Sequence, residues 1–158
     1  MITEDYKAYF RHLASGVCIV TFSVETKVHG FTATSVTSVC AAPPTVLFCV
    51  RQQNDSFQYA KVGSPVGISI LSKNQIHLSE RFASKIGTEG YEDVETIRMP
   101  RGVPTLKGAI AQMEGLIINI IPISDHAIVL VEFEAAHITS GDIPVLYYDR
   151  GYHHPVRI

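Results

Sequence analysis

The sequence has little excess charge of either sign. Thirteen lysines and arginines stand against fifteen aspartates and glutamates, a formal net charge of −2. A protein that grips nucleic acid or an anionic membrane surface carries a basic footprint, and no Lys/Arg run supplies one here. No uninterrupted apolar stretch reaches the roughly 18 residues that a membrane-crossing helix needs. Met1 to Phe10 is polar and charged, without the apolar centre of a secretory signal, so a cytoplasmic protein is expected. Cysteine is scarce. Cys18, Cys40 and Cys49 are an odd number, widely spaced and mostly set among Val, Ile and Phe, and they read as reduced core residues rather than disulfides.

The common engines of catalysis are also missing. There is no G-x-G-x-x-G fingerprint and no G-x-x-x-x-G-K-[ST] loop. Ser69 in "GISIL" lacks the second glycine of a nucleophile elbow. Seven histidines form neither H-E-x-x-H nor a Cys/His zinc spacing, and neighbours such as His153 and His154 point to opposite faces of a strand. An enzyme remains possible if a bound redox cofactor carries the chemistry and the protein supplies position and electrostatics.

The 158 residues, 46% hydrophobic and 18% charged, suit one domain over 1–158 with a full core. Tyr6, Tyr9, Phe10 and Leu13 recur at helical spacing after Thr3-Glu4-Asp5, a capping hydroxyl followed by acids. "VCIVTF", "TVLFCV" and "VGISIL" read as buried strands, and "ETKVHG" as a hairpin turn. Asn54 or Ser56 could open a short helix. Ser72 to Gln75 has the form of a capping box, predicting a helix to about Ser84. Residues 85–105 read as a long irregular loop, either a lid or a partner-binding segment. Two long strands flank the turn Ser124-Asp125, and "VLYYDRGYHH" closes the chain as a strand or hairpin. Long helices do not alternate with strands. The expected fold is therefore mainly β, an antiparallel barrel decorated by a few short helices.

The segment "GFTATSVTS" concentrates five hydroxyls, Thr32, Thr34, Ser35, Thr37 and Ser38, within seven positions. Short hydroxyls and free backbone N–H groups can surround a phosphate or a polar ring edge without net positive charge. Gly30 and Ala33 are small enough to admit a flat ligand to the backbone. "QQNDSF" follows a strand and opens a helix, a site for an anion, and Arg81 is a candidate phosphate clamp. Each feature has a plain structural alternative: a solvent-facing strand, a helix cap, a surface ion pair.

Taken in order, "FRHLASGVCIVTF", "GFTATSVTSVCAAPPTVLFCV", "NDSF", "LSERFA", "PTLKGAIAQMEG", "DHAIVLVEF" and "VLYYDRGYHH" resemble the flavin reductase family of the FMN-binding split-barrel fold. These are the small reductase components of two-component flavin-dependent monooxygenases. The resemblance implies an antiparallel split β-barrel, a homodimer, and NAD(P)H-dependent reduction of FMN or FAD, which then reaches an oxygenase by diffusion. It implies that Thr32, Ala33, Thr34 and Ser35 line the isoalloxazine and ribityl chain. It sets Ser38, Asn54, Ser56 and Arg81 near the phosphate, with Cys49, Val50, Phe82 and Ala83 as wall contacts. It sets His126 beside the nicotinamide, to orient it or manage a proton, with Tyr148 and Tyr152 shaping that side. The ordinary alternative for His126 is a strand-start histidine with a backbone partner. Two positions depart from the family's habit: Thr34 stands where Asn is common, and Cys40 where Ser is common. FMN versus FAD, and NADH versus NADPH, stay open in the sequence. So do a tightly held flavin that serves as an electron carrier, another acceptor, and a barrel that binds a different ligand.

Overall fold

The computed structural model describes residues 1–84, 87–139 and 141–158. It opens with α1 (Ile2–Arg11), whose first turn carries Glu4 and Asp5, the favourable sign at a helix N-terminus. Met1 rather than Thr3 takes the cap position, and no side chain bonds there. The aromatic face of α1 does not enter the core. No residue of the helix is buried, and Tyr6, Tyr9, Phe10 and the following Leu13 remain exposed.

β1 (Ser15–Gly16) is followed by β2 (Cys18–Val24), which is buried on both faces. Its Cys18, Val20 and Phe22 join one apolar cluster, while Val17 and Ile19 join another. That alternation is the period of two expected of a central strand. The expected turn contracts to Glu25 and Thr26, with Glu25 at φ 56°, so β3 (Lys27–Ala33) begins earlier and holds Gly30 at its centre. β4 (Thr37–Ala41) and β5 (Pro44–Arg51) follow on either side of the Pro43-Pro44 break. The helix expected after Asn54 is a single 3-10 turn, Phe57–Tyr59. β6 (Pro65–Ile70) then leads to the capping box. The Gln75 side chain accepts the Ser72 N–H at 3.2 Å, and a 3-10 turn at Lys73–Gln75 runs into α2 (Ile76–Ser84).

Residues 87–105 are not one irregular loop; Lys85 and Ile86, part of the same expectation, lie outside the described residues. A 3-10 turn at Glu89–Tyr91 precedes a small hairpin of β7 (Thr96–Arg98) and β8 (Pro104–Leu106). Met99, Val103 and Leu106 are buried, and Glu114 accepts the backbone N–H groups of Arg101 at 2.7 Å and Val103 at 3.3 Å. Apolar residues scattered between charges conceal this hairpin from a periodicity reading. β9 (Ala111–Ile123) and β10 (His126–Ile138) form the expected long pair, turned by Ser124 at φ 53°. β11 (Leu146–Tyr148) and β12 (Gly151–His153) end the chain as a hairpin joined to β1.

Seven strands form one antiparallel sheet in the order β3-β2-β6-β9-β10-β5-β4. Side chains from six of them, including both Phe31 of β3 and Phe48 of β5, meet in one cluster. The sheet must therefore curl around its own interior. Its outermost strands, β3 and β4, do not pair with each other, so the barrel is split, as expected. The second cluster, with Ile19, Leu71, Leu78, Phe82 and Leu106, fastens α2 and β8 to the outside of β2. No helix among the described residues is long and apolar enough to cross a membrane.

Candidate functional site

A cavity of about 550 Å³ opens where the ends of β3 and β5 meet the start of β10. β3 contributes Phe31, Thr32 and Ala33, and the turn after it Thr34 and Ser35. β5 contributes Cys49, Val50 and Arg51, the next turn Gln53 and Asn54, and β10 His126. Phe31, Ala33 and Val50 are buried and make an apolar floor. Thr34, Arg51, Gln53, Asn54 and His126 supply polar groups around it. An apolar floor with a few placed polar groups is the form of a pocket for a flat organic ligand.

The hydroxyls of the segment divide by task. Ser35 Oγ accepts the Cys49 N–H at 2.9 Å and lies 3.2 Å from the Cys49 carbonyl, so it fastens the turn to β5. Thr32 Oγ1 donates to the Ser79 carbonyl of α2 at 2.6 Å. Thr34 is exposed and its hydroxyl has no hydrogen bond among the described residues, which leaves it open to a ligand. Asn54 Oδ1 accepts the Ser56 N–H at 2.9 Å and shapes the turn after β5. Gly30 does not admit a ligand to the backbone. A Cβ there would stand 2.5 Å from the Tyr91 hydroxyl, which itself lies 2.5 Å from Thr21 Oγ1.

His126 begins β10 opposite Arg51 of β5. Its Nδ1 lies 2.7 Å from Asp125 Oδ1, so its partner is a carboxylate rather than the backbone. That hydrogen bond holds the Asp125 carboxyl below its usual range. An ionised carboxylate can only accept, so Nδ1 carries the proton and Nε2 is the free ring atom. The turn beneath His126 is held by Gln52. Its backbone N–H donates to the Asp125 carbonyl at 2.9 Å, and its Nε2 donates to Ser124 and His126 carbonyls at 2.9 and 2.8 Å.

Thr32, Ala33, Thr34, Ser35, Cys49, Val50, Asn54 and His126 are thus brought together around this one cavity. The other expected site residues do not line this cavity within one chain. Ser38 sits on exposed β4, beside a second, apolar hollow at the other end of the barrel. Ser56 is fully buried, 3.4 Å from the Gly30 carbonyl and against Gly87, so a bulky substitution there disturbs the fold before it tests any ligand. Arg81 donates to the Glu92 carbonyl at 2.7 Å, and Phe82 packs on the Tyr91 ring in the second core. Ala83 is exposed near the end of α2. Tyr148 lies beside α1, in a groove with Tyr6 and Phe10. Tyr152 is one step removed: its hydroxyl is 2.9 Å from Ser79 Oγ, and the Ser79 carbonyl is Thr32's partner. Phe31, Arg51 and Gln53 were not among the expected ligands. All three stand inside or beside the hydroxyl segment and "QQNDSF", the two stretches that signalled the site.

The model of the flavin reductase like domain matches residues 10–155. The NADH:FMN oxidoreductase of Rhodococcus qingshengii is 31% identical, over 96% of this chain and 81% of that protein. The reductase component of a 4-nitrophenol 4-monooxygenase/4-nitrocatechol 2-monooxygenase from Rhodococcus opacus is 32% identical, over 90% of this chain and 77% of that protein. The structure of the Streptomyces globisporus C-1027 NADH:FAD oxidoreductase in complex with NAD and FAD fragments superimposes with a TM-score of 0.89 at 25% identity, over 98% of this chain and 93% of that one. With its antiparallel split barrel and a family match over nearly all of its length, the chain belongs to the flavin reductase like family.

Proposed function

We propose that this chain is an NAD(P)H:flavin oxidoreductase that reduces FMN or FAD and releases it to a separate monooxygenase. The observation that carries this is the cavity between β3, β5 and β10. It takes in Thr32 to Ser35 of the hydroxyl segment, in a family whose members include NADH:FMN and NADH:FAD oxidoreductases. Monooxygenase reductase components among the relatives support the oxygenase as the consumer of the product. NADH is the donor in the relatives' names and is the donor proposed here.

The residues fit such a ligand. A cavity of about 550 Å³ lies within the usual 300–1,000 Å³ of cofactor pockets. The floor of Phe31, Ala33 and Val50 suits a planar ring system. Thr34 and Asn54 offer neutral polar groups, and Arg51 a cation for phosphate. The flavin, when bound, supplies the hydride-accepting chemistry that no side chain of this chain provides. The protein's part is orientation and electrostatics. His126, with its Nδ1 proton fixed on Asp125, meets the nicotinamide through Nε2 or holds a proton there.

Exposed apolar groups support a homodimer. β4 is exposed throughout, with Val39 half uncovered, and Ile118, Ile121 and Ile123 of β9 are exposed as well. A second copy against β4 would also set its own residues beside Ser38. Cys18 is buried as a core thiol, whereas Cys40 is exposed and Cys49 only part-buried; all three are free, which suits a reducing cytoplasm, and the family match over 10–155 supports a single functional unit.

The test is turnover. Purified protein is given NADH or NADPH, with and without added FMN or FAD, and nicotinamide oxidation is followed. Oxidation that saturates with free flavin supports the proposal. Flavin retained through dialysis, without turnover of the free form, would make the protein a carrier instead.

A further inference from the structure

Gln52 commits every N–H it has to one turn. Its backbone N–H and both Nε2 hydrogens go to the carbonyls of Asp125, Ser124 and His126 in turn, at 2.9, 2.9 and 2.8 Å. A primary amide has two N–H donors and a peptide one, so the donor inventory of the residue is exhausted on three consecutive acceptors. The turn needs such a hold. Ser124 is non-glycine at φ 53°, a sparsely populated conformation that persists only when its surroundings enforce it. The same turn carries Asp125, which fixes Nδ1 of His126 at 2.7 Å, and His126 lines the cavity. Gln52 does not line that cavity, although both its neighbours, Arg51 and Gln53, do.

We infer that Gln52 is a positioning residue for hydride transfer, acting through the Ser124-Asp125-His126 turn to hold the His126 imidazole at the nicotinamide side of the site. This rests on the role given to His126 above. Arg51 and Gln53 line the cavity, while the residue between them reaches across to the turn before β10 and holds the segment that carries His126. The strand register, with His126 opposite Arg51, brings the end of β5 to the turn.

The experiment is a double-mutant cycle on steady-state kinetics with NADH and free flavin, using Gln52→Met, His126→Ala and the pair. Methionine keeps the side-chain length and removes both amide donors. The freed carbonyls of Ser124 and His126 lie at or near the surface, where water can replace the amide. Gln52→Met is expected to raise the KM for NADH by about threefold or more, with flavin affinity unchanged, and to do nothing further once His126 is alanine. Gln52→Ser, which leaves room for water at the carbonyls, is the second variant should the methionine protein fold poorly. An equal effect of Gln52→Met in both backgrounds, or no effect in either, would overturn the inference while leaving His126 in place. A His126→Ala enzyme with unaltered NADH kinetics would overturn the role of His126 and the inference with it.

Discussion

Ser35 treats Cys49 as a neighbouring strand would: its hydroxyl accepts the Cys49 N–H at 2.9 Å and reaches the Cys49 carbonyl at 3.2 Å. One side chain thus closes the gap between the end of β3 and β5, and the cavity wall depends on it. Ser35→Ala leaves a part-buried N–H without its partner, which costs about 1–3 kcal/mol. Denaturant unfolding should show that loss, and flavin titration should show weakened binding from a loosened wall. Unchanged stability would mean that water replaces the hydroxyl fully.

Gly30 and Tyr91 form a second coupled pair. A Cβ at residue 30 would stand 2.5 Å from the Tyr91 hydroxyl and 3.1 Å from two ring carbons. Tyr91 is held by Thr21 and by the Phe82 ring, so it cannot step aside freely. Gly30→Ala should destabilise by about 1–3 kcal/mol, as overpacking does. Adding Tyr91→Phe removes the nearest clashing atom and should recover part of that loss. Thermal unfolding of the two single variants and the pair checks this, and strict additivity would count against the contact.

Much of this was legible in the sequence, for stated reasons. The strands "VCIVTF" and "TVLFCV", the Ser72–Gln75 capping box and the Ser124 turn are local patterns, and each is found in place. Thr32, Thr34 and Ser35 of the hydroxyl segment line one cavity, while Thr37 and Ser38 lie at another hollow. The segment's separate tasks were hidden, because whether Ser35 faces a ligand or the backbone of Cys49 depends on a partner fourteen positions away. Gly30 looked like room for a ligand because Tyr91, which fills that room, lies far along the chain. The outward aromatic face of α1 was equally hidden, since helical spacing says which residues share a face but not what meets it.

His29 should give the fold a pH dependence. It is buried against the Tyr59 ring, centroids 3.9 Å apart, and neither ring nitrogen has a hydrogen-bond partner among the described residues. Burial lowers its pKa below the ordinary 6.5, with Asp55 opposing and Lys27 assisting that shift. The unfolded chain therefore binds a proton more readily than the native one as pH falls below 6.5. Stability should be full above that value and decline beneath it. His29→Leu should flatten the decline, which urea midpoints at several pH values between about 5 and 8 would read. An identical pH profile in the variant would remove His29 as the cause.

Arg51 should govern affinity for the phosphate. It lines the cavity, is exposed, and has no ion pair among the described residues. Arg51→Gln should weaken FMN binding about tenfold or more, as loss of a charge-assisted hydrogen bond does, and leave riboflavin binding nearly unchanged. Equal losses for the two ligands would place the phosphate elsewhere.

The most direct test is to close the cavity at its exposed rim and measure flavin-dependent NADH oxidation. Thr34 is exposed and makes no hydrogen bond among the described residues, so Thr34→Trp adds bulk there without disturbing the barrel. The account predicts rapid oxidation with added flavin in the native protein, and loss of both turnover and flavin binding in Thr34→Trp at an unchanged unfolding midpoint. Full turnover in the variant would contradict it, because the flavin would then bind outside the cavity formed by β3, β5 and β10.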